Sequence, residues 1–235
     1  MDRTIIVTDL TRFSRSDIVC TAGIDRKSGE CIRPMPYLQS ARCQELNILP
    51  GAVLSGDFTA SQNLEGPHQE DYEYSNLRFL GPCTSTEFKN VMESAMFHSV
   101  AEGFELTLQE RQKLLPVGNH IRRSIITIST SPVEIEIVED SYKPEKIRLN
   151  FIDQSGHEFK YIAITDLGFH NHALQHHERD DLIALNKWIR GQDEVLLRLG
   201  LSRRHQAPDG REGYWLQANG IYTFPEYRMD IRSYA

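Results

Sequence analysis

The sequence predicts a mostly β protein of the α+β class, built as two small β-barrels in tandem with helical insertions. Three observations predict it. Short runs in which apolar and polar residues alternate, closed by Gly or Pro, fill both ends of the chain. Between them, residues 85–119 switch to helical spacing within an acidic stretch. Two places also echo one another. Thr8-Asp9-Leu10 precedes residues 18–24 and Cys31-Ile32-Arg33-Pro34, and Thr165-Asp166-Leu167 precedes residues 195–201 and Tyr214-Trp215-Leu216-Gln217. Each copy sets a T-D-L step before a strand ending in a Gly-containing triplet, followed by a return strand. With 235 residues, 40% of them hydrophobic, the chain is long enough for one large domain or two small ones and has ample material for a packed core.

The elements follow in order. Residues 4–8 are a β-branched run. Ile18, Cys20, Ala22 and Ile24 alternate with Val19, Thr21 and Gly23, the period of a half-buried strand. Ser28-Gly29 supplies a turn and residues 30–35 the return, so a hairpin is expected, ended by Pro34 and Pro36. Pro50-Gly51 precedes a strand at 52–60, and 72–80 reads as another, closed by Gly81-Pro82. Ser85 or Thr86 is placed to cap a helix in which Phe88, Val91, Met92, Ala95 and Met96 recur at helical spacing. A second short helix is expected at 107–115, stopped by Pro116. Strand patterns resume at 124–129, 133–138, 146–151 and 159–165, residues 180–189 look helical, and strands at 195–201 and 214–223 finish the chain. The expected domains are a first barrel at 1–84, a helical acidic connector at 85–119, and a second barrel at 120–235 with a His-rich loop and one helix.

Charge and cysteine content narrow the function classes. The net charge of −7 argues against whole-molecule steering towards a polyanion. Nine acidic residues against two basic ones between Glu65 and Glu110 account for all of it, and the rest of the chain is balanced. Local basic surface is therefore open to a nucleic acid, while the acidic segment 65–110 is the best feature for a protein partner. Cys20, Cys31, Cys43 and Cys83 form no C-x-x-C pair, poor material for a zinc knuckle. No apolar run approaches the roughly 20 residues needed to span a bilayer, and the N-terminus has no secretory h-region, so a cytoplasmic protein without membrane contact is expected.

The string Val19-Cys20-Thr21-Ala22-Gly23-Ile24-Asp25, then Ile32-Arg33-Pro34, together with Leu199-Gly200-Leu201-Ser202-Arg203 and Trp215-Leu216-Gln217-Ala218-Asn219-Gly220-Ile221-Tyr222, resembles the dual-OB domain family of bacterial proteins. The resemblance spans most of the chain. It implies two OB-like barrels in tandem and recognition of nucleic acid or a nucleotide, in some cases in prokaryotic defence settings. It brings no catalytic residues and no cofactor with it.

OB barrels hold single strands by stacking bases on aromatic rings in a basic groove. If Tyr214, Leu216 and Ala218 point into the core, Trp215, Gln217 and Asn219 share the outer face, one ring beside two amides able to read base edges. Arg198 is expected on an outward face, with Arg203 and Arg204 in the loop beyond it; Arg12, Arg15 and Arg33, with Tyr37, form the matching set in the first half. Such a module is expected to bind without catalysis. An alternative is a metal-dependent hydrolase or nuclease at 170–181, where His172 and His176 stand at i, i+4, yet the H-E-x-x-H glutamate is missing between them. Signatures for nucleotide hydrolysis, dinucleotide binding and serine hydrolysis are also missing. Asp9 and Asp166 read as turn or cap residues.

Overall fold

In a computed structural model the described residues are 2–232 apart from 14, 16, 63, 65, 119, 120 and 208, so Glu65, where the acidic segment begins, lies outside them. The first half consists of β1 (Asp2–Arg12), β2 (Ile18–Asp25), β3 (Cys31–Met35), β4 (Leu38–Gln39), α1 (Ser40–Glu45), β5 (Ala52–Ala60) and β6 (Asp71–Pro82). Its strand path runs β1-β5-β6-β3-β2, and β2 pairs back to β1, closing a five-stranded barrel. All pairs are antiparallel except β3 with β6, and α1 lies between β4 and β5 in the chain, the connectivity of an OB barrel. β1 reaches both neighbours because the register shifts between Val7 and Asp9, a bulge that bends the strand. Gly23 is required opposite it: a Cβ there would stand 2.6 Å from the Ile6 carbonyl oxygen.

After β6 come α2 (Ser85–Glu93), β7 (Met96–Phe97), α3 (Val100–Phe104) and β8 (Leu114–Pro116). The capping residue of α2 is Thr84, just ahead of the expected Ser85 or Thr86: its hydroxyl accepts from Glu87 N and the Glu87 carboxylate accepts from Thr84 N, a closed capping box. Where a helix was expected at 107–115 the chain instead runs into β8, which pairs with the long last strand. The second half contains β9 (Ile125–Thr130), β10 (Ile135–Glu139), β11 (Ile147–Ile152), β12 (Glu158–Ile164), α4 (Leu167–Glu178), α5 (Leu182–Arg190), β13 (Glu194–Leu201), β14 (His205–Gln206) and β15 (Glu212–Phe224). Its path is β10-β11-β12-β15-β13-β9-β7, with β12 parallel to β15 and the short β7 parallel to β9. Ser131 and the 3₁₀ turn Pro132–Glu134 are all that separate β9 from β10, so β10 at one end of the path and β9 near the other are consecutive in the chain, which brings the sheet back towards itself. The broken strand β9–β10 thus does in the second half what bulged β1 does in the first.

This topology corrects the sequence echo. The second-half equivalents of β1, β2, β3, β5 and β6 are β9–β10, β11, β12, β13 and β15, whereas the echo set β1–β2–β3 against β12–β13–β15. The two halves share a fold, and the short motifs that suggested it sit at different places within it. The His-rich stretch, expected as a loop, is helix α4, started by Asp166, whose carboxylate accepts from Phe169 N at 3.1 Å. Asp166 is a cap, as expected, and also accepts from Ile221 N and the buried Arg232.

Each barrel has its own core, centred on Ile5, Val7, Leu10 and Leu54 in the first and on Leu149, Phe159, Leu197 and Ile221 in the second. A third cluster joins them. Ile6, Ile24 and Val53 from the first barrel meet Leu196, Tyr222 and Phe224 from the second, with Phe88, Val91 and Met92 of α2 filling the space between. Strands β1 and β13 over most of their length, and β15 from Ala218 onward, are therefore buried on both faces, one inside their barrel and one in the seam.

That double burial corrects the expectation for Arg198. It does alternate away from the barrel core, but the outer face of β13 meets the seam and not water, and Arg198 is 1% exposed. Its Nε donates to Asp9 Oδ2 at 2.9 Å, Nη1 to Thr127 Oγ1 at 2.9 Å and Nη2 to Cys31 Sγ at 3.3 Å. Asp9 is thus an ion-pair partner across the seam and not a turn residue. Removing one member of such a pair strands the other charge, so Asp9→Ala is expected to cost about 3–5 kcal/mol, and joint replacement by Asp9→Leu and Arg198→Met much less. Urea unfolding of the three chains measures the difference.

Candidate nucleic-acid interface

Above the seam the two barrels enclose a groove of about 760 Å³. Its banks are set by backbone bonds between the halves: Arg12 N donates to Thr165 O at 2.9 Å, and Thr11 forms an isolated bridge with Asp166. The end of β1 therefore delivers Arg12 and Phe13, and β3 with the segment after it delivers Arg33 and Tyr37. From the second barrel come Arg148 on β11, Tyr161 on β12, Arg203 and Arg204 after β13, and Trp215, Gln217 and Asn219 on β15. Lys113 is drawn in because Leu216 N donates to its carbonyl at 2.8 Å, beside the β8–β15 pairing.

The expected alternation on β15 is present. Tyr214, Leu216 and Ala218 are buried, while Trp215 and Gln217 are half-buried and line the groove. Asn219 also lines it, more deeply. The β13–β15 register passes from Arg198–Gly220 to Leu199–Ala218 and leaves Asn219 as the extra residue of a bulge. Its Oδ1 accepts from Thr165 Oγ1 at 2.9 Å. Gly200 makes the room: a Cβ there would lie 2.7 Å from Asn219 Cγ.

Two arginines share one carboxylate at the floor. Arg33 Nε donates to Asp71 Oδ1 at 2.5 Å and Arg203 Nη1 lies 2.8 Å from Asp71 Oδ2. Arg203 Nε also donates to the Tyr37 hydroxyl at 3.1 Å, and the Tyr37 and Phe13 rings are 4.9 Å apart. Held between the two guanidiniums, the Asp71 carboxyl sits below its ordinary value in spite of burial. Burial raises the neighbouring Glu70, which accepts from Ser124 N, Ser124 Oγ and Ile125 N. At the rim Arg204 forms a two-point pair with Glu212, and Arg148 donates to Asp140 at 2.7 Å.

Arg12 and Lys113 differ from these. Among the described residues neither has a carboxylate within ion-pair distance; Arg12 instead meets His170 Nε2 at 2.6 Å, and Lys113 stands over the Tyr161 ring at 5.8 Å. Burial first, and then the charge of Arg148, lowers the pKa of both. Cations crowded together and short of counter-charge gain by receiving an anion. Against Arg12 the His170 ring acts as an acceptor, and burial followed by the Arg12 charge pushes its pKa down to about 4.

The structure thus brings Arg12, Arg33, Tyr37, Arg203, Arg204, Trp215, Gln217 and Asn219 to one groove. Arg15 lies outside it, exposed and paired with Asp17, on a smaller cleft that Arg12 and Phe13 share. Arg198 lies beneath, in the seam. Sequence reasoning missed Lys113, Arg148, Tyr161 and Phe13. Arg148 alternates with buried Ile147 and Leu149 on its strand, a signal that was present. Tyr161 carried none: it faces the groove at φ +57°, in a bulge where the β11–β12 register shifts and its N–H donates to Asn150 Oδ1.

His172 and His176 do share a helix face, their rings 4.8 Å apart, but among the described residues no three His, Cys, Asp or Glu side chains converge as a metal site. Much of the acidic segment is engaged within the chain: Asp71 and Glu70 as above, Glu87 and Glu102 at helix starts, Glu105 with Arg123. Among the described residues no helix is long and apolar enough to cross a membrane.

The profile of the dual OB-containing domain matches residues 4–221. No curated protein matches the chain in sequence. Among solved structures, it is similar to the Ifi202 HINa domain in complex with 20-bp double-stranded DNA (9% identity, covering 95% of this chain and 94% of that one, TM-score 0.36). It is similar to a replication protein A heterotrimer bound to single-stranded DNA (7%, 98% and 50%, 0.36), about half of whose matched chain it spans. A murine DNA-binding protein bound with double-stranded DNA follows (7%, 95% and 97%, 0.33).

The histidines give a pH dependence. His170 and His172, the latter lowered mainly by burial and then by His176, titrate near pH 4 when folded and near 6.5 when unfolded. Between those values the unfolded chain binds more protons, so the stability present above about pH 6.5 is lost as pH falls towards about 4. Urea midpoints are expected to fall between about pH 7 and about pH 5, and a His170→Gln, His172→Gln chain to show a flatter profile over that interval.

Proposed function

The chain belongs to the dual OB-containing domain family, and we propose that it binds single-stranded nucleic acid, without catalysis, in the groove between its two barrels. The observation that carries this reading is the meeting of four aromatic rings, Phe13, Tyr37, Tyr161 and Trp215, with the cations Arg12, Lys113, Arg148, Arg203 and Arg204 on one concave surface. Rings offer flat faces to unpaired bases whatever their sequence, and guanidinium and ammonium groups between them take the phosphates. Gln217 and Asn219 supply amides able to pair with base edges. Duplex bases are already stacked on each other and have no face to give, so the rings favour single strands. The overall charge of −7 does not oppose this, because the affinity comes from the local crowding around Arg148.

A second reading has the same chemistry on a smaller ligand. A groove of about 760 Å³ also has the volume of a small-molecule site, so a free nucleotide fits the same rings and cations. A place in prokaryotic defence rests on the family resemblance alone.

Fluorescence anisotropy with labelled DNA and RNA oligomers tests the reading. Trp215→Ala is expected to weaken binding by about 1–3 kcal/mol, the worth of one stacked base. Arg12→Gln and Lys113→Gln are each expected to reduce the slope of log affinity against log salt by about 0.7. Binding to neither oligomer, or binding indifferent to salt, sinks the proposal.

A further inference from the structure

Arg33 is the most deeply placed cation of the groove, and its hydrogen bonding is incomplete. It is 4% exposed, it lines the cavity, and its Nη2 is buried without a hydrogen-bond partner among the described residues. Its other side is fixed by Asp71, which also fixes Arg203, and Arg203 is tied to Tyr37. Glu70 is committed elsewhere, to Ser124 and Ile125. The floor is therefore two guanidiniums and a phenol held in place by a shared acid, with one charged donor still unmet. A buried charged N–H without an acceptor is costly, and a ligand oxygen arriving there removes the cost.

We propose that this floor is a subsite for a phosphate monoester, and that the groove takes a strand by a phosphorylated end. The inference rests on the nucleic-acid reading above. A phosphodiester inside a running strand carries a sugar on each side, and lowering it on to a guanidinium as buried as Arg33 forces both sugars below the rim. A monoester trails only one sugar, so its free oxygens reach the floor while the chain leaves outward past the Phe13 and Tyr37 rings. It also carries more charge than a diester, about 1.5 to 2 units near neutral pH, which suits paired arginines.

The experiment compares four probes: one short oligomer phosphorylated at its 5′ end, the same oligomer phosphorylated at its 3′ end, an unphosphorylated oligomer one nucleotide longer and so of comparable charge, and the corresponding nucleoside monophosphate. One of the two phosphorylated strands is expected to bind at least about tenfold tighter than the longer unphosphorylated one. In Arg203→Gln that ratio is expected to fall below about threefold, and Arg33→Gln to do the same where its unfolding midpoint is unchanged; if Arg33→Gln is destabilised, the Arg203→Gln ratio decides. Equal binding of all strands overturns the end-binding subsite and leaves the strand-binding reading intact. A monophosphate that binds as tightly as the best strand overturns the strand as the ligand, and no binding of any probe overturns both readings.

Discussion

The groove depends on the buried pair between Asp9 and Arg198, one residue from each barrel. The first barrel closes through its β1–β2 pairing and the second half is held by its own sheet, and nothing in OB connectivity dictates how the two should sit together. Apolar contacts through Ile6, Leu196 and Tyr222 supply affinity between them but little direction, since hydrophobic burial is not directional. The ion pair, with the Tyr222 hydroxyl donating to the Thr8 carbonyl at 2.7 Å and Glu70 accepting from Ser124, supplies direction. A buried charge tolerates few arrangements, so the barrels have few ways to meet. Arg12 and Phe13 follow Asp9 on the same strand and its exit, and Arg203 and Arg204 follow Arg198, so the orientation of one pair sets both banks.

The distribution of charge follows from this arrangement. The protein is acidic overall, yet many of its carboxylates are spent on structure: capping α2, pinning Ser124, holding Arg33 and Arg203 side by side. What remains in the groove is a set of cations with too few counter-ions, Arg12 and Lys113 above all. Such a surface is electrostatically favourable to anions at short range, while the molecule as a whole, at −7, does not draw them from afar.

Much of this was legible in the sequence, for reasons that can be named. Period-2 alternation located the strands and gave the face of β15 correctly at Trp215 and Gln217, because a strand with one side in a core obeys that rule. Arg198 defeated the same rule: alternation says which side of a strand a residue occupies, not what covers that side, and here a second barrel does. The His-rich helix α4 was hidden by its weak amphipathic pattern, and its start was set by Asp166, a residue the sequence had tied to the wrong strand. The echo between the halves misled because three-letter motifs recur wherever a strand must end tightly, whereas the shared topology is carried by pairings far apart in sequence. Tyr161 and Lys113 were invisible for that reason too: one is turned by a bulge whose cause lies on β11, the other by a pairing with β15.

One consequence follows from the welding of the two banks beneath the groove. A cleft between loosely tethered domains widens to suit its guest, but one whose sides are bonded through β1, Thr165 and the Asp9–Arg198 pair keeps its gauge. For any guest of such a cleft the first test is girth, and that test is set by the contact between the barrels more than by the side chains lining the groove.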